Sequence, residues 1–174
     1  MNITIVLGTA RKERKSERVY LALQQMVSEM ADAEVVAVDV RDYSTSPETV
    51  PNWGVGGSDT TPSKWKEVVE KTDAFLFILP EYNHSFPGEW KILVDSLSSE
   101  YAGKIAYIVS VSAGSFAGVR VADHVKTVLI ELNFKVPKQG LQIGKVGESF
   151  AEDGTVTDED TKGRIQKFII TIVE

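Results

Sequence analysis

The chain has 174 residues, 43 % of them hydrophobic, which suits one domain with a substantial core. Its net charge of −6 leaves no broad basic surface for nucleic-acid phosphates, and the absence of cysteine excludes disulfides, thiolate catalysis, zinc ribbons and iron–sulfur ligation together. No apolar run approaches the roughly 18 residues a spanning helix needs, and the N-terminus enters a strand pattern instead of a signal peptide, so a soluble cytoplasmic protein is expected.

Ile3, Thr4, Ile5, Val6 and Leu7 form a β-branched run too short for a helix and too apolar for a half-exposed strand, which predicts a central parallel strand. Beyond it, Val19, Ala22, Leu23, Met26, Val27 and Met30 recur at helical spacing and predict the buried face of a helix beginning near Ser16. The connecting turn, residues 8–16, therefore lies at the carboxyl end of a strand and against a helix N-terminus. Five of the nineteen basic residues (Arg11, Lys12, Arg14, Lys15, Arg18) crowd this stretch. Free amides, the helix dipole, the hydroxyls of Thr9 and Ser16 and the fork of Arg11 suit a phosphate monoester. The turn lacks the second glycine and Gly-Lys-Ser/Thr ending of a Walker loop, and it is not a G-x-G-x-x-G turn. Taken alone, it could also be a solvated basic turn on an acidic surface.

Glu34–Asp39 reads as a second strand. Residues 41–61 form a long connection with Pro47, Pro51, Trp53, Gly54, Gly56 and Gly57, a composition common in lids, interface elements and mobile segments. A helix over 63–71 follows, with Thr61 as N-cap, Pro62 at its first position, and Trp65, Val68 and Val69 on one face. Residues 74–79 (AFLFIL) are a third strand, and 88–97 a helix presenting Trp90, Leu93, Val94 and Leu97. Residues 104–111 are a fourth strand, followed by a helix over 117–132 with Ala122, Val125, Val128, Leu129 and Leu132 inward. A fifth strand within 135–143 is interrupted by Pro137 and Gly140. The acidic run 152–160 lacks the oxygen spacing of a calcium loop and leads into a helix over 161–173 carrying Ile165, Phe168, Ile169 and Ile172. Strands alternating with helices imply an α/β fold with a parallel sheet covered on both faces. Five strands give a doubly wound, flavodoxin-like order 2-1-3-4-5 as the leading topology, with a ligand outside the carboxyl ends of strands 1 and 3. Loops 8–16, 80–88 and 112–118 should meet there.

The second of these loops reads Pro80-Glu81-Tyr82-Asn83-His84-Ser85-Phe86-Pro87-Gly88, followed by Trp90-Lys91 and Asp95-Ser96-Leu97-Ser98. It resembles the P-E-Y-N-x-S-x-P-G…L-K…D-x-L-S signature of the NADPH-dependent FMN reductase family, flavodoxin-like proteins that include quinone, azo-dye and chromate reductases. The basic turn is similar to that family's G-[ST]-x-R…S phosphate loop, and Ser112 to Gly118, with Arg120 after it, to the family's third loop. Two departures stand out. Extra residues separate Arg11 from Ser16, which leaves open whether Arg14, Lys15 or Arg18 reaches a phosphate, and Ala117 replaces a usual glycine.

The resemblance implies an FMN site over the whole chain as one domain. Thr9, Arg11 and Ser16, with Ala10, Lys15, Arg18 and Val19 beside them, would hold the phosphate. The backbone of Pro80, Glu81, Tyr82 and Asn83 would line the isoalloxazine, and Ser112, Ala113 and Gly114 would offer amides to its pyrimidine carbonyls. It further implies hydride transfer from NADPH or NADH to the flavin, two electrons passed to a quinone, flavin, azo or similar small acceptor, no metal, and a homodimer or homotetramer. No side chain is required for catalysis, because flavin N5 carries the chemistry. A flavodoxin-like electron carrier, or a flavin-binding regulatory protein without nicotinamide turnover, is the alternative. Tyr82 and Phe86 could also be surface or interface aromatics, and Asn83 a turn residue. His84 is the one candidate general acid near the flavin, while His124 falls in a helical pattern and reads as structural.

Overall fold

The computed structural model describes residues 1–43 and 61–173, so most of the long connection read as a lid or mobile segment lies outside the described residues. Five strands, β1 (Asn2–Leu7), β2 (Glu34–Asp39), β3 (Ala74–Pro80), β4 (Ile105–Val111) and β5 (Leu141–Ile143), form one sheet in the order β2-β1-β3-β4-β5. Every pairing is parallel. The helices are α1 (Ser16–Met30), α2 (Thr61–Lys71), α3 (Gly88–Asp95), α4 (Val119–Glu131), a short α5 (Val146–Ser149) and α6 (Glu159–Val173). Brief 3₁₀ turns occupy Val40–Asp42 and Ser99–Tyr101.

Alternation along the buried strands sends side chains to two cores. Ile3, Ile5 and Leu7 of β1 face α1, α5 and α6, whose Val19, Leu23, Val146, Ile165 and Ile169 complete that layer. Val6 faces the opposite layer with Phe75, Phe77, Leu79, Trp65, Trp90 and Val125, under α2, α3 and α4. The polar exception in β1, Thr4, is buried and shares a hydrogen bond with the Thr72 hydroxyl at 2.6 Å, which offsets its desolvation.

Element ends depart from the sequence pattern where tertiary bonds intervene. α3 stops at Asp95 short of the apolar Leu97, with Ser96 Oγ donating to the Leu93 carbonyl at 2.6 Å. α4 starts two residues after Ala117, because Ala117 (φ +53°) and Gly118 (φ +72°) are left-handed. α6 starts at Glu159, ahead of Thr161, with the Thr161 amide donating to Asp158 Oδ2 at 2.8 Å as an N-terminal cap. β5 keeps only Leu141–Ile143, while Lys135 makes an isolated bridge to Ile105. Met30, placed inward by spacing, is 40 % exposed on the last turn of α1.

Candidate functional site

The carboxyl ends of β1, β3 and β4 open into a cleft of about 290 Å³. Arg11, Glu13, Arg14, Lys15 and Ser16 line it from the first loop, Pro80, Glu81 and Tyr82 from the second, and Ser112 and Ala113 from the third, with Val111 and Val146 completing the wall. The three loops converge as the topology requires. The first is launched at Gly8, where a Cβ would come within 2.3 Å of Leu79 Cδ2 and 3.2 Å of Trp90 Cβ, so a side chain at the strand's exit would have to displace Leu79.

Within the first loop the cations divide. Arg14 is 5 % exposed; its guanidinium grips both carboxylate oxygens of Asp39 (Nη1 to Oδ1 2.8 Å), donates to the Thr9 carbonyl, and reaches Glu17 at 3.3 Å. Burial pushes the Asp39 carboxyl up, but the Arg14 hydrogen bond, the Arg41 amide and the two positive charges outweigh it, and the carboxyl sits below its ordinary value. Arg18 donates to the Phe150 carbonyl at 2.8 Å and approaches Glu152 at 3.6 Å. Arg11 lies flat over the Tyr82 ring, 3.8 Å from its centroid, and Lys15 rests against Gly147 on the cleft wall.

Thr9 is fully buried, and its hydroxyl meets the Tyr82 hydroxyl at 3.0 Å and the Arg11 amide at 3.3 Å. The Ala10 amide is taken by Glu89 Oε1 at 3.1 Å, and Val19 is fully buried in the core, so its side chain presents nothing to the cleft. Ser16 differs from all of these. Its residue is 3 % exposed and lines the cleft, yet its hydroxyl has no hydrogen-bond partner. It begins a helix whose N-cap, Lys15, supplies no side-chain cap. A buried hydroxyl left without a partner costs about 1–3 kcal/mol, and at an uncapped helix start it is placed to meet an anion.

The second loop is a two-residue reversal. Tyr82 and Ser85 exchange both backbone hydrogen bonds at 2.9 Å, with Asn83 (φ +49°) and His84 (φ +67°) at the apex. Two positive φ values make this a type I′ geometry, which asparagine tolerates well, so the turn-residue reading of Asn83 accounts for its conformation. His84 is exposed at the apex, and His124 Nδ1 lies 3.3 Å from Ser85 Oγ. The Glu81 carboxylate reaches the start of α4, accepting the amides of Arg120 (3.2 Å) and Val121 (3.3 Å) and lying 3.5 Å from the Arg120 guanidinium.

In the third loop the Ser112 amide donates to the Ile143 carbonyl at 2.9 Å and its hydroxyl to the Gly114 carbonyl at 2.8 Å. Ser112 therefore brings no free amide, contrary to the sequence expectation, and donors at this edge fall to Ala113 and Gly114. Ala117 adopts the left-handed conformation without being glycine, held by its carbonyl's bond from Ser110 Oγ at 2.8 Å. No group of acidic or histidine side chains suited to a metal occurs among the described residues. Three side chains that shape the site carry no signal in the local sequence: Asp39, Arg41 and Glu89 join it only through the fold.

Residues 1–147 match the family model described as NADPH-dependent FMN reductase. The chain is 28 % identical over 180 residues to a quinone reductase of Pseudomonas putida, covering 97 % of this chain and 90 % of that protein. It is 29 % identical over 153 residues to an NAD(P)H:quinone oxidoreductase of Solanum tuberosum, covering 83 % and 78 % respectively. Among solved structures it superposes on FerB, a flavoenzyme NAD(P)H:(acceptor) oxidoreductase from Paracoccus denitrificans, with a TM-score of 0.83 over 99 % of this chain and 94 % of that one; at 24 % identity this is a likeness of fold.

Proposed function

The chain belongs to the NADPH-dependent FMN reductase family, and from that premise we propose that it is an FMN-dependent NAD(P)H oxidoreductase acting on quinone-class or similar small acceptors. Bound FMN supplies the redox chemistry, taking a hydride from NAD(P)H and passing two electrons on. The protein binds, orients and shields. The observation that carries the reading is the buried, unpartnered Ser16 hydroxyl at the uncapped start of α1, inside a cleft walled by all three loops.

The residues fit a phosphate monoester with a flat ring attached. Ser16 offers a hydroxyl donor at the α1 end, while the buried Thr9 hydroxyl holds the Tyr82 hydroxyl and the Arg11 amide in place. Arg11, Arg14 and Lys15 are the cations on the cleft wall. Arg14 is paired with Asp39 through its Nη atoms, and Arg18, outside the cleft, approaches Glu152, so the phosphate charge is assigned to Arg11 and Lys15, which have no carboxylate partner among the described residues. The backbone of residues 80–83 borders the space for the ring, and Ala113 and Gly114 lie at its polar edge. Ala10 and Val19 sit behind this surface and support it. We assign this work to a single domain spanning the chain.

The same reading makes the protein a cytoplasmic homodimer or homotetramer. Phe116, 69 % exposed beside the third loop, and Val119, 45 % exposed at the start of α4, support an assembly that covers this rim. Among the described residues no helix is long and apolar enough to cross a membrane.

Apoprotein given FMN should acquire a bound-flavin spectrum and a higher melting temperature, then oxidise NAD(P)H in the presence of a quinone. FAD should bind less well, since a site built around a terminal phosphate has little room for a second one. Failure of FMN to bind would refute the reading, while binding without NAD(P)H oxidation would favour an electron carrier. Stopped-flow reduction with both nucleotides decides between NADPH and NADH, and light scattering gives the oligomer.

A further inference from the structure

Three consecutive carbonyls of the first loop, those of Thr9, Ala10 and Arg11, all end on guanidinium groups. Arg14 Nη1 donates to Thr9; Arg41 donates through Nε to Ala10 at 3.2 Å and through Nη2 to Arg11. Both arginines are tied to one carboxylate. Arg14 holds both oxygens of Asp39, and Asp39 Oδ1 also accepts the Arg41 amide at 2.9 Å. Asp39 is the last residue of β2, in register with Leu7 at the end of β1, so the carboxylate is fixed by the sheet itself.

The geometry has a consequence for the loop's amides. Across a trans peptide the carbonyl and the following N–H point in opposite directions. Three carbonyls drawn to the arginine side commit the amides of Ala10, Arg11 and Lys12 to the other side. Two of these already meet oxygens there: Ala10 on the Glu89 carboxylate and Arg11 on the Thr9 hydroxyl. Aligned carbonyl dipoles repel one another, and Glu13 is held at φ +54°, a conformation a non-glycine residue keeps only where its surroundings enforce it.

We propose that Asp39, Arg14 and Arg41 are positioning residues that set the first loop as an anion receptor before any ligand arrives, acting through the carbonyls of Thr9, Ala10 and Arg11. This rests on the reading of the cleft as an FMN site. Asp39 fixes the arginines, the arginines fix the peptide planes, and the planes aim the amides.

The test compares FMN with riboflavin, which lacks the phosphate, by quenching of flavin fluorescence on titration with apoprotein. Arg41→Ala removes an exposed side chain and leaves the buried Arg14–Asp39 pair intact. It should weaken FMN about threefold to tenfold and leave riboflavin within about twofold. Arg41→Lys should not restore FMN affinity, because one ammonium cannot span two carbonyls as a planar fork does. Asp39→Asn, which loosens both arginines, should cost FMN about tenfold to hundredfold, the range for losing a group that orients the contacting ones. If Arg41→Ala keeps the wild-type ratio of FMN to riboflavin affinity, whether both fall or neither does, the inference is overturned while the cofactor reading stands. If the wild type itself holds riboflavin as tightly as FMN, the phosphate assignment fails and the inference with it.

Discussion

Replacing Ser16 by alanine should raise the stability of the ligand-free protein and lower its affinity for FMN, two effects of opposite sign from one hydroxyl. In the free protein this oxygen is buried and unpartnered, so its removal recovers part of the roughly 1–3 kcal/mol that an unsatisfied buried group costs. Alanine is also the better helix former, by up to about 0.5 kcal/mol. A net gain of about 1 kcal/mol corresponds to a melting shift of roughly 2–4 °C for a chain of this size. Under the proposed function the same hydroxyl would donate to the charged phosphate of FMN, and its loss should cost about 1.5–3 kcal/mol of binding. At FMN one hundredfold above the wild-type Kd, linkage stabilises the wild type by about 2.7 kcal/mol; tenfold weaker binding leaves about 1.4, and hundredfold about 0.4. The melting order should therefore invert: the variant above wild type without FMN, below it with FMN. Differential scanning fluorimetry with and without FMN reads both. A variant that melts lower in the absence of flavin, or that keeps its advantage at saturation, would refute the assignment of the α1 N-terminus to the phosphate.

Arg11 stacks on Tyr82 at the cleft wall, and a stacked guanidinium keeps its in-plane donors free for a phosphate, so Arg11→Ala should weaken FMN by about 1.5–3 kcal/mol, with Lys12→Ala much closer to wild type by fluorescence titration. His84→Ala, measured by stopped flow with FMN fully bound, should keep flavin reduction by NAD(P)H within about tenfold of wild type, since a real general acid contributes roughly 10²–10⁴-fold; a larger loss would give His84 a catalytic role. The Asp39 carboxyl is held below its ordinary value in the folded state, so its stabilisation is complete above about pH 4, where the unfolded carboxyl is ionised, and is lost as pH falls through the lowered folded-state value. The melting difference between wild type and Asp39→Asn should accordingly shrink on acidification, and a difference that grows instead would contradict the ion pair.

The sheet was legible because β1, β3 and β4 are buried on both faces and read as nearly continuous apolar runs, interrupted only by small hydroxyl residues such as Thr4 and Ser110, and the order of strands followed from their alternation with helices. Helix ends were less legible, since Ser96, Gly118 and Asp158 set them through particular hydrogen bonds or backbone angles that periodicity does not encode. In the site, the loops that carry hydroxyls, a tyrosine and a turn asparagine could be read locally. Their partners could not: Arg14 meets Asp39 across 25 positions, and the Ala10 amide meets Glu89 across 79. Arg14 looks from the sequence like one more candidate for the phosphate, and only burial against Asp39 separates it from Arg11. The Ser112 amide looks free until the end of β5 comes alongside and Ile143 takes it.

Glu81 belongs to the second loop, yet its carboxylate closes the first turn of α4. That helix start, beside the third loop, is thereby neutralised from within, whereas the start of α1 has no side-chain cap. The cleft consequently has a direction. A molecule charged at one end and flat and neutral at the other gains electrostatically in one orientation only, charged end toward α1, and the reversed orientation would set its anion against a carboxylate already in place. Under the proposed function, that asymmetry would set the phosphate end of the cofactor against the first loop and turn the other end to the rim where donor and acceptor arrive.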